Sequence, residues 1–225
     1  MAKLTWDNTG ERFYETGVKN VALYVFDNTS GAKKYKDGVA WNGVTAISES
    51  PSGAEPTALY ADDKKYLNLL SAEEFAASIE AYTYPDEFAE CDGSASLVAG
   101  VTVGQQTRSK FALAYKTTIG NDEAGNSLGY KLHIIYNCLA APSEKAYNTI
   151  NDSPEAITFS WEISTTPVTF TANGKEYSTA CVTIDSRKIA EEKLAKLETK
   201  LFGGTEPDSK PTLVLPNEIY TLLTA

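Results

Sequence analysis

Carboxylates beside aromatic side chains come nearest to a catalytic pattern in this chain. In the stretch AYTYPDEF, residues 81–88, Tyr82 and Tyr84 precede Asp86 and Glu87. Sugar-cleaving enzymes use two carboxyl groups roughly 5–10 Å apart. Asp86 and Glu87 are adjacent, however, and they follow a proline, which is a sequence typical of a turn. We therefore interpret the pair as the end of a β-strand, not as an acid and a base.

The single histidine and the acids of ADDKK, residues 61–65, are the other groups that chemistry could use. His133 lies in an apolar stretch without an acid or a cysteine beside it in sequence that would orient it or share a metal. Asp62 and Asp63 could offer oxygens to calcium, but the spaced ligands of an EF-hand loop are missing. No nucleophile elbow, Walker loop or dinucleotide fingerprint occurs. The motifs favour a structural protein that is not an enzyme and uses no cofactor or metal.

The charge and the cysteines argue against several classes of protein. A net charge of −10 opposes the usual route of binding DNA or anionic lipid, in which Lys and Arg neutralise phosphates. Cys91, Cys138 and Cys181 are an odd number of widely spaced thiols, which predicts buried reduced cysteines without a disulfide framework or zinc site. The N-terminus lacks the pattern of a signal peptide, and no stretch reaches the roughly 20 apolar residues of a membrane span. We expect synthesis in a cytosol and no membrane partner.

Alternating apolar and polar residues predict a mainly β protein. The clearest alternation lies in AITFSWEISTTPVTF, residues 156–170, whose inward side chains are predicted to be Ile157, Phe159, Trp161 and Ile163. A second strand is predicted within residues 74–84, with one apolar face made of Phe75, Ala77, Ile79 and Ala81. KFALAYKTTIG and YKLHIIYNCLA predict a hairpin with a long tip. In its second strand, Lys131 and His133 are expected to face solvent or a partner.

One helix is predicted, over about residues 186–202. Asp185 or Ser186 is the expected N-cap, and Gly203 the expected end. Its apolar stripe consists of Ala190, Leu194, Leu197 and Leu201, which is typical of a helix packed on a sheet. Residues 1–20 are expected to form an extended segment, and the C-terminal segment 204–225 to hold a last strand at PTLVLP.

The segment 50–72 is predicted to be a long loop. It starts with the turn residues SPSGAEP and continues as a polar stretch without a regular period. Loops longer than about 12–15 residues in a compact domain are usually functional or disordered. This segment is therefore the place to look for function.

Longer strings resemble a known family. They are WDNTGERFYETGV, GVAWNGVTAISESPSGAEPTALYADDKKYLNLLSAEEF, IEAYTYPDEFAECDGS, and FSWEISTTPV followed by VTIDS. Together they resemble the major tail protein of long-tailed, non-contractile bacteriophages (siphovirus type) and of related prophages of Gram-positive bacteria. The resemblance runs in the same order from about residue 5 to 203.

The resemblance implies a single tail-tube domain over residues 1–225: two packed β-sheets forming a sandwich or barrel, with the helix at its flank. In the virion, hexameric rings of such subunits stack into the tube through which DNA enters the host. The protein would be made in the cytoplasm of the host bacterium. Its partners would be other copies of itself, the tape measure protein inside the tube, and the terminator and baseplate or distal tail proteins at its ends.

The long loop of this family commonly reaches towards a neighbouring ring. The resemblance therefore implies that the contact residues lie in that loop, and those predicted are Pro51, Glu55, Leu59, Tyr60, Asp62, Asp63 and Tyr66. DNA would pass through the lumen without sequence-specific binding, and an acidic lumen would repel its phosphates.

Other functions are compatible with the same sequence. A tube subunit of a contractile tail or of a phage-derived bacteriocin has the same fold. A β-sandwich carbohydrate-binding or adhesin module would use exposed tyrosines to stack on sugars. A small acid-dependent hydrolase is the third alternative, and mutation of single acids such as Asp86 would test it.

Overall fold

A computed structural model describes residues 4–29, 34–150, 152, 155–205 and 209–224, and in these residues the protein is mainly β, as predicted. The strands in chain order are β1 (Phe13–Val25), β2 (Val39–Ala40), β3 (Val44–Glu49), β4 (Ser52–Gly53), β5 (Pro56–Ala61), β6 (Lys64–Leu70), β7 (Glu73–Glu74), β8 (Ala76–Ala81), β9 (Ala95–Val98), β10 (Val101–Val103), β11 (Phe111–Asn121), β12 (Gly125–Ala140), β13 (Phe159–Ser164), β14 (Val168–Ala172), β15 (Lys175–Thr179) and β16 (Cys181–Asp185). The helices are α1 (Glu191–Phe202) and α2 (Pro216–Thr224), with short 3-10 turns at Asp86–Glu90 and Ser186–Lys188. None of the helices in the described residues is long and apolar enough to cross a membrane.

One antiparallel sheet folds over itself to make the two layers of a sandwich. Its strand order is β2-β1-β11-β12-β13-β8-β3, and β16 also pairs with β12. The first part of β12 pairs with β11 and β16, whereas its last residues, Leu139 and Ala140, pair with β13. Near Asn137, which has a φ of 48°, the register against β11 shifts. Such a bulge bends a strand, and here it carries β12 from one layer into the other.

An apolar core fills the space between the two layers. Trp161 of β13 is fully buried there, with its ring centroid 5.6 Å from that of Trp41 and 5.1 Å from that of Phe88. Edge-to-face aromatic contacts of this kind stabilise a core beyond the area that they bury. Of the inward residues predicted for this strand, Trp161 and Ile163 are buried and Phe159 is half-buried. Ile157 is exposed, because the strand begins only at Phe159.

A second core lies between the helices and the outer face of the layer that contains β1, β11 and β12. Leu194, Leu197 and Leu201 of α1 are buried against it, as predicted, whereas Ala190 is exposed. A buried tyrosine connects the sheet to α1, because the hydroxyl of Tyr24 donates to the carbonyl of Leu201 at 2.6 Å. This layer is therefore covered on both faces, which explains the nearly continuous apolar runs of its strands.

The predicted helix start is wrong by several residues. Asp185 caps the preceding 3-10 turn instead, since its Oδ1 accepts from the backbone N–H of Arg187 at 3.0 Å. The side-chain hydrogen bond from Arg187 lowers the pKa of Asp185 to about 2. Ile189 and Ala190 then have extended backbones, so the helix starts at Glu191. Its end at Gly203, with a φ of 82°, agrees with the prediction.

Both ends of the described chain differ from the predictions. β1 already begins at Phe13, and register shifts at Gly17 and Asn20, which have positive φ, interrupt its alternation. At the other end, PTLVLP pairs with no described strand, although its residues Leu213 and Val214 are buried beside the helices. The second helix, α2, was missed. A proline at the first helical position suits its start, because its φ is already helical and no N–H is lost.

Candidate interaction surface

The segment predicted to be a long loop is mostly a β-hairpin. β5 and β6 pair from Pro56 with Leu70 to Ala61 with Lys64. Below them, the short strands β4 and β7 form a stem in which Gly53 lies opposite Glu73. Sequence alternation reveals a strand only when one of its faces is buried. All seven residues of β6 are exposed, so no such pattern marked the hairpin.

The two aspartates considered for calcium form the tip of this hairpin. Asp62 and Asp63 lie between the two strands with φ values of 51° and 59°. A two-residue turn with positive φ at both positions matches the twist of a hairpin, and aspartate tolerates that conformation better than most residues. In the described part of the chain, no group of three or more His, Cys, Asp or Glu side chains is placed to hold a metal ion. The two aspartates therefore have a geometric role in the turn.

All seven predicted contact residues are exposed, and the hairpin brings five of them together. Pro51 and Glu55 lie beside the stem, whereas the other five lie on the hairpin itself. Tyr60 and Tyr66 have 72% of their surface exposed. The prediction missed further exposed apolar residues on β6, which are Leu67, Leu69 and Leu70. The sequence feature that could have revealed these leucines is the run of uncharged residues that follows Lys65.

Apolar side chains cover both faces of the hairpin. Leu59 lies opposite Leu67, so these two side chains share a face, and Leu69 lies on the same face two residues along the strand. Leu70 projects from the opposite face. A hairpin with leucines on both faces and no second layer leaves apolar surface in water on each side.

A second, shorter hairpin also exposes apolar side chains. β9 and β10 are joined through Ala99 and Gly100, and Leu97, Val98 and Val101 are all exposed. Residues 94–107, which include this hairpin, contain no charged side chain. We call residues 94–107 the uncharged hairpin.

One buried and two half-buried ionic groups hold the base of the uncharged hairpin. The carboxylate of Asp92 accepts from Trp161 Nε1 at 3.0 Å and from Lys145 Nζ at 2.5 Å. Arg108 Nη1 lies 3.7 Å from the same carboxylate and donates to the carbonyl of Ala140 at 3.2 Å. Burial acts to lower the pKa of Lys145, but the hydrogen bond and charge of Asp92 outweigh it, and the net pKa is raised. These contacts therefore fix the base of the uncharged hairpin at the edge of the aromatic core.

The AYTYPDEF stretch is a strand end, as interpreted. β8 stops at Ala81, and a 3-10 turn runs from Asp86 to Glu90. Asp86 and Glu87 are exposed in this turn, whereas Phe88 is fully buried against Trp161. The turn thus serves to bring an aromatic side chain into the core.

His133 does not face solvent, contrary to the prediction for its side of β12. It is only 8% exposed and stacks on Tyr115, with ring centroids 4.8 Å apart. Its Nδ1 lies 3.5 Å from Oε1 of Glu49, which also accepts from the Tyr115 hydroxyl at 2.6 Å. The contact with His133 lowers the pKa of Glu49, against an opposing effect of partial burial. Because Glu49 ends β3 just before the stem, this cluster ties the base of the β5–β6 hairpin to the sheet.

The three cysteines are free thiols, as predicted, and burial suppresses their ionisation. Cys91 and Cys138 are buried and Cys181 is half-buried. Burial raises the pKa of Cys91 to about 12 and that of Cys181 to about 11, and it raises the pKa of Cys138 further. Since the thiolate is the reactive form, these cysteines react slowly at neutral pH.

Comparison with known proteins identifies no family for the chain. No protein-family model matches it, and a search of curated proteins finds no match. Its function is therefore inferred from its surface and from the strings of its sequence.

Proposed function

We propose that this protein is the structural subunit of a bacteriophage tail tube, whose copies form hexameric rings that stack into the conduit for DNA. The resemblance of its sequence strings to the major tail protein of long-tailed phages suggests this function. The mainly β sandwich with flanking helices is compatible with it. Other copies of the chain are its principal partners, and the tape measure, terminator and distal tail proteins are the remaining ones.

The observation that carries the proposal is the exposed β5–β6 hairpin. A two-stranded hairpin is at best marginally stable in water without further packing. Contiguous exposed apolar surface on a soluble protein marks a site of interaction. Leu59, Leu67 and Leu69 provide such surface on one face of the hairpin, where the sequence resemblance implies a contact between rings. Docking on a neighbouring copy would bury these side chains and order the hairpin.

The charge of the chain supports passage of DNA. At a net charge of −10, the subunit as a whole repels phosphates instead of binding them. A lumen lined mainly by Lys and Arg in the assembled tube would contradict this part of the proposal.

Electron microscopy of the concentrated, negatively stained protein tests the function. We expect hexameric rings and hollow tubes. A protein that stays dispersed as a monomer and binds a glycan would contradict the proposal and would support the carbohydrate-binding alternative.

Replacing the hairpin tests the observation on which the proposal rests. A variant in which a short Gly-Ser turn replaces residues 56–70 should keep the circular dichroism and unfolding transition of the parent but form no tubes. As a control, Asn173→Asp at the turn of the separate β14–β15 hairpin keeps both strands and the turn geometry. This control should still form tubes. Normal tubes from the variant without the hairpin would show that the hairpin makes no essential contact.

A further inference from the structure

The uncharged hairpin is unusual on the surface of this protein. The chain has 50 charged residues among 225, yet none falls within residues 94–107. Leu97 is 66% exposed and Val98 is 63% exposed, and they lie beside the turn. Apolar, β-branched segments without charge or proline associate readily with other strands. This hairpin therefore has the composition of a contact surface.

Its backbone is also open to pairing. β9 and β10 form a two-stranded sheet, so each strand has one edge that no strand occupies among the described residues. An unprotected edge is a template for another strand, and proteins normally block it with charged side chains or proline. The uncharged hairpin has neither of these protections.

A matching surface lies on the β5–β6 hairpin. Residues 66–72, from the middle of β6 to the residues just before the stem, also lack charge, and they expose Leu69 and Leu70. Copies of a chain with a net charge of −10 repel one another, so uncharged surfaces are where two copies approach at least electrostatic cost. Both surfaces are exposed within one copy and so do not cover one another.

From these observations we infer that the uncharged hairpin of one copy receives strand β6 of a second copy. The inference deepens the proposed function and rests on it, because it names the surface that the β5–β6 hairpin contacts in the neighbouring copy. The acceptor is fixed in place through Asp92 and Arg108 at its base. A fixed acceptor loses little conformational entropy when it binds.

The chain connectivity makes this contact directional. In the chain, the β5–β6 hairpin and its stem come just before β8, which begins at Ala76. The uncharged hairpin comes after the other end of β8, at Ala81. The donor and acceptor surfaces are therefore different parts of the molecule. A contact between different surfaces repeats from copy to copy and builds either a closed ring or an open stack, whereas a contact between identical surfaces closes a dimer.

Cysteine pairing tests the contact directly. Leu69→Cys and Val98→Cys variants are prepared separately, mixed in equal amounts and oxidised mildly. A disulfide-linked dimer on a non-reducing gel is expected in the mixture and not from either variant alone. The native thiols give a low background because burial raises their pKa values. Leu69→Cys mixed with Tyr177→Cys, which places an exposed thiol on β15, is the matched control and should give no such dimer.

The outcomes separate this inference from the proposed function. Tubes without the mixed disulfide would overturn the inference and leave the function standing. The mixed disulfide from a protein that never forms rings or tubes would support the contact and contradict the function. Self-linking of Val98→Cys would mean that the uncharged hairpin pairs with its own copy, which also overturns the inference.

Charge placed on the acceptor gives an independent measurement. Val101→Asp should raise the protein concentration needed for stacking at least about ten-fold, because the contact would then bury an unpaired carboxylate against the uncharged part of β6. The thermal unfolding of the unassembled variant should stay unchanged, since Val101 is exposed. Ser96→Ala is the control on the same hairpin and should stack as the parent does. An unchanged stacking concentration for Val101→Asp would contradict the inference.

Discussion

The aromatic core and the β5–β6 hairpin use the same kinds of side chain in opposite ways. Around Trp161, aromatic and aliphatic groups from both layers are buried together. On the hairpin, Leu69, Leu70, Tyr60 and Tyr66 remain in water. Folding therefore buries the apolar surface of the core and leaves the apolar surface of the hairpin exposed to solvent. We expect the core to determine stability and the hairpin to determine association.

The largest loss of stability is expected when Trp161 is replaced by alanine. Deleting a fully buried tryptophan removes apolar burial and leaves a cavity, which costs about 3–5 kcal/mol. It also leaves the carboxylate of Asp92 without one of its donors. Urea unfolding measures the change. Trp6→Ala is the matched control, because Trp6 is exposed, and its effect should stay within about 0.5 kcal/mol. Equal effects of the two substitutions would contradict the distinction between core and surface.

A smaller loss is expected at the ionic group beside that core. Asp92→Ala leaves the indole N–H of Trp161 and the ammonium of Lys145 without their shared acceptor. Leaving the buried indole donor unsatisfied costs about 1–3 kcal/mol. Asp92→Asn keeps an acceptor oxygen and should cost less in the same urea measurement. If both variants unfold like the parent, Asp92 does not fasten the base of the uncharged hairpin.

A weak and pH-dependent effect is expected at the boundary between the body and the hairpin. The folded protein holds the pKa of Glu49 below its ordinary value of 4.5. Its carboxylate therefore stabilises the folded state above that value, and the contribution is lost as the pH falls through the lowered pKa. Because Glu49 is partly exposed, Glu49→Gln should cost only about 0.5 kcal/mol at pH 7.

This difference between the parent and Glu49→Gln should shrink in unfolding curves recorded at pH values below 4.5. Tyr115→Phe removes the hydroxyl that donates to Glu49 and keeps the ring that stacks on His133. A comparison of Tyr115→Phe with the parent therefore measures the contribution of the hydrogen bond, because the stacking contact is kept. A difference between the parent and Glu49→Gln that stays constant with pH would show that the carboxylate charge does not stabilise the fold.

The smallest effect on stability is expected on the hairpin itself. Leu70 is 70% exposed, so Leu70→Ser should change the free energy of unfolding by less than about 0.5 kcal/mol. The same substitution should weaken the proposed assembly, which sedimentation would measure. Leu113→Ser, at a fully buried leucine, is the contrasting variant and should destabilise the fold strongly. A large loss of stability for Leu70→Ser would mean that the hairpin belongs to the folded body.

Local sequence patterns predicted the elements that bury only one of their faces against a core. β8 and β13 alternate because their inner side chains are buried, and α1 has its leucine stripe because one side packs on the sheet. The β5–β6 hairpin could not be recognised in this way, since neither of its faces is buried in its own chain. Its predicted contact residues were nevertheless close in space, because they are neighbours in sequence.

The sequence by itself determined the mainly β class, the free cysteines, the strand end within AYTYPDEF and the end of α1 at Gly203. Each of these depends on residue types or on local spacing. Only the tertiary structure decided that Glu49 meets His133 and that Asp92 meets Trp161. These contacts join residues far apart in the chain, and sheet pairing, a bulge at Asn137 and the packing of two layers bring them together.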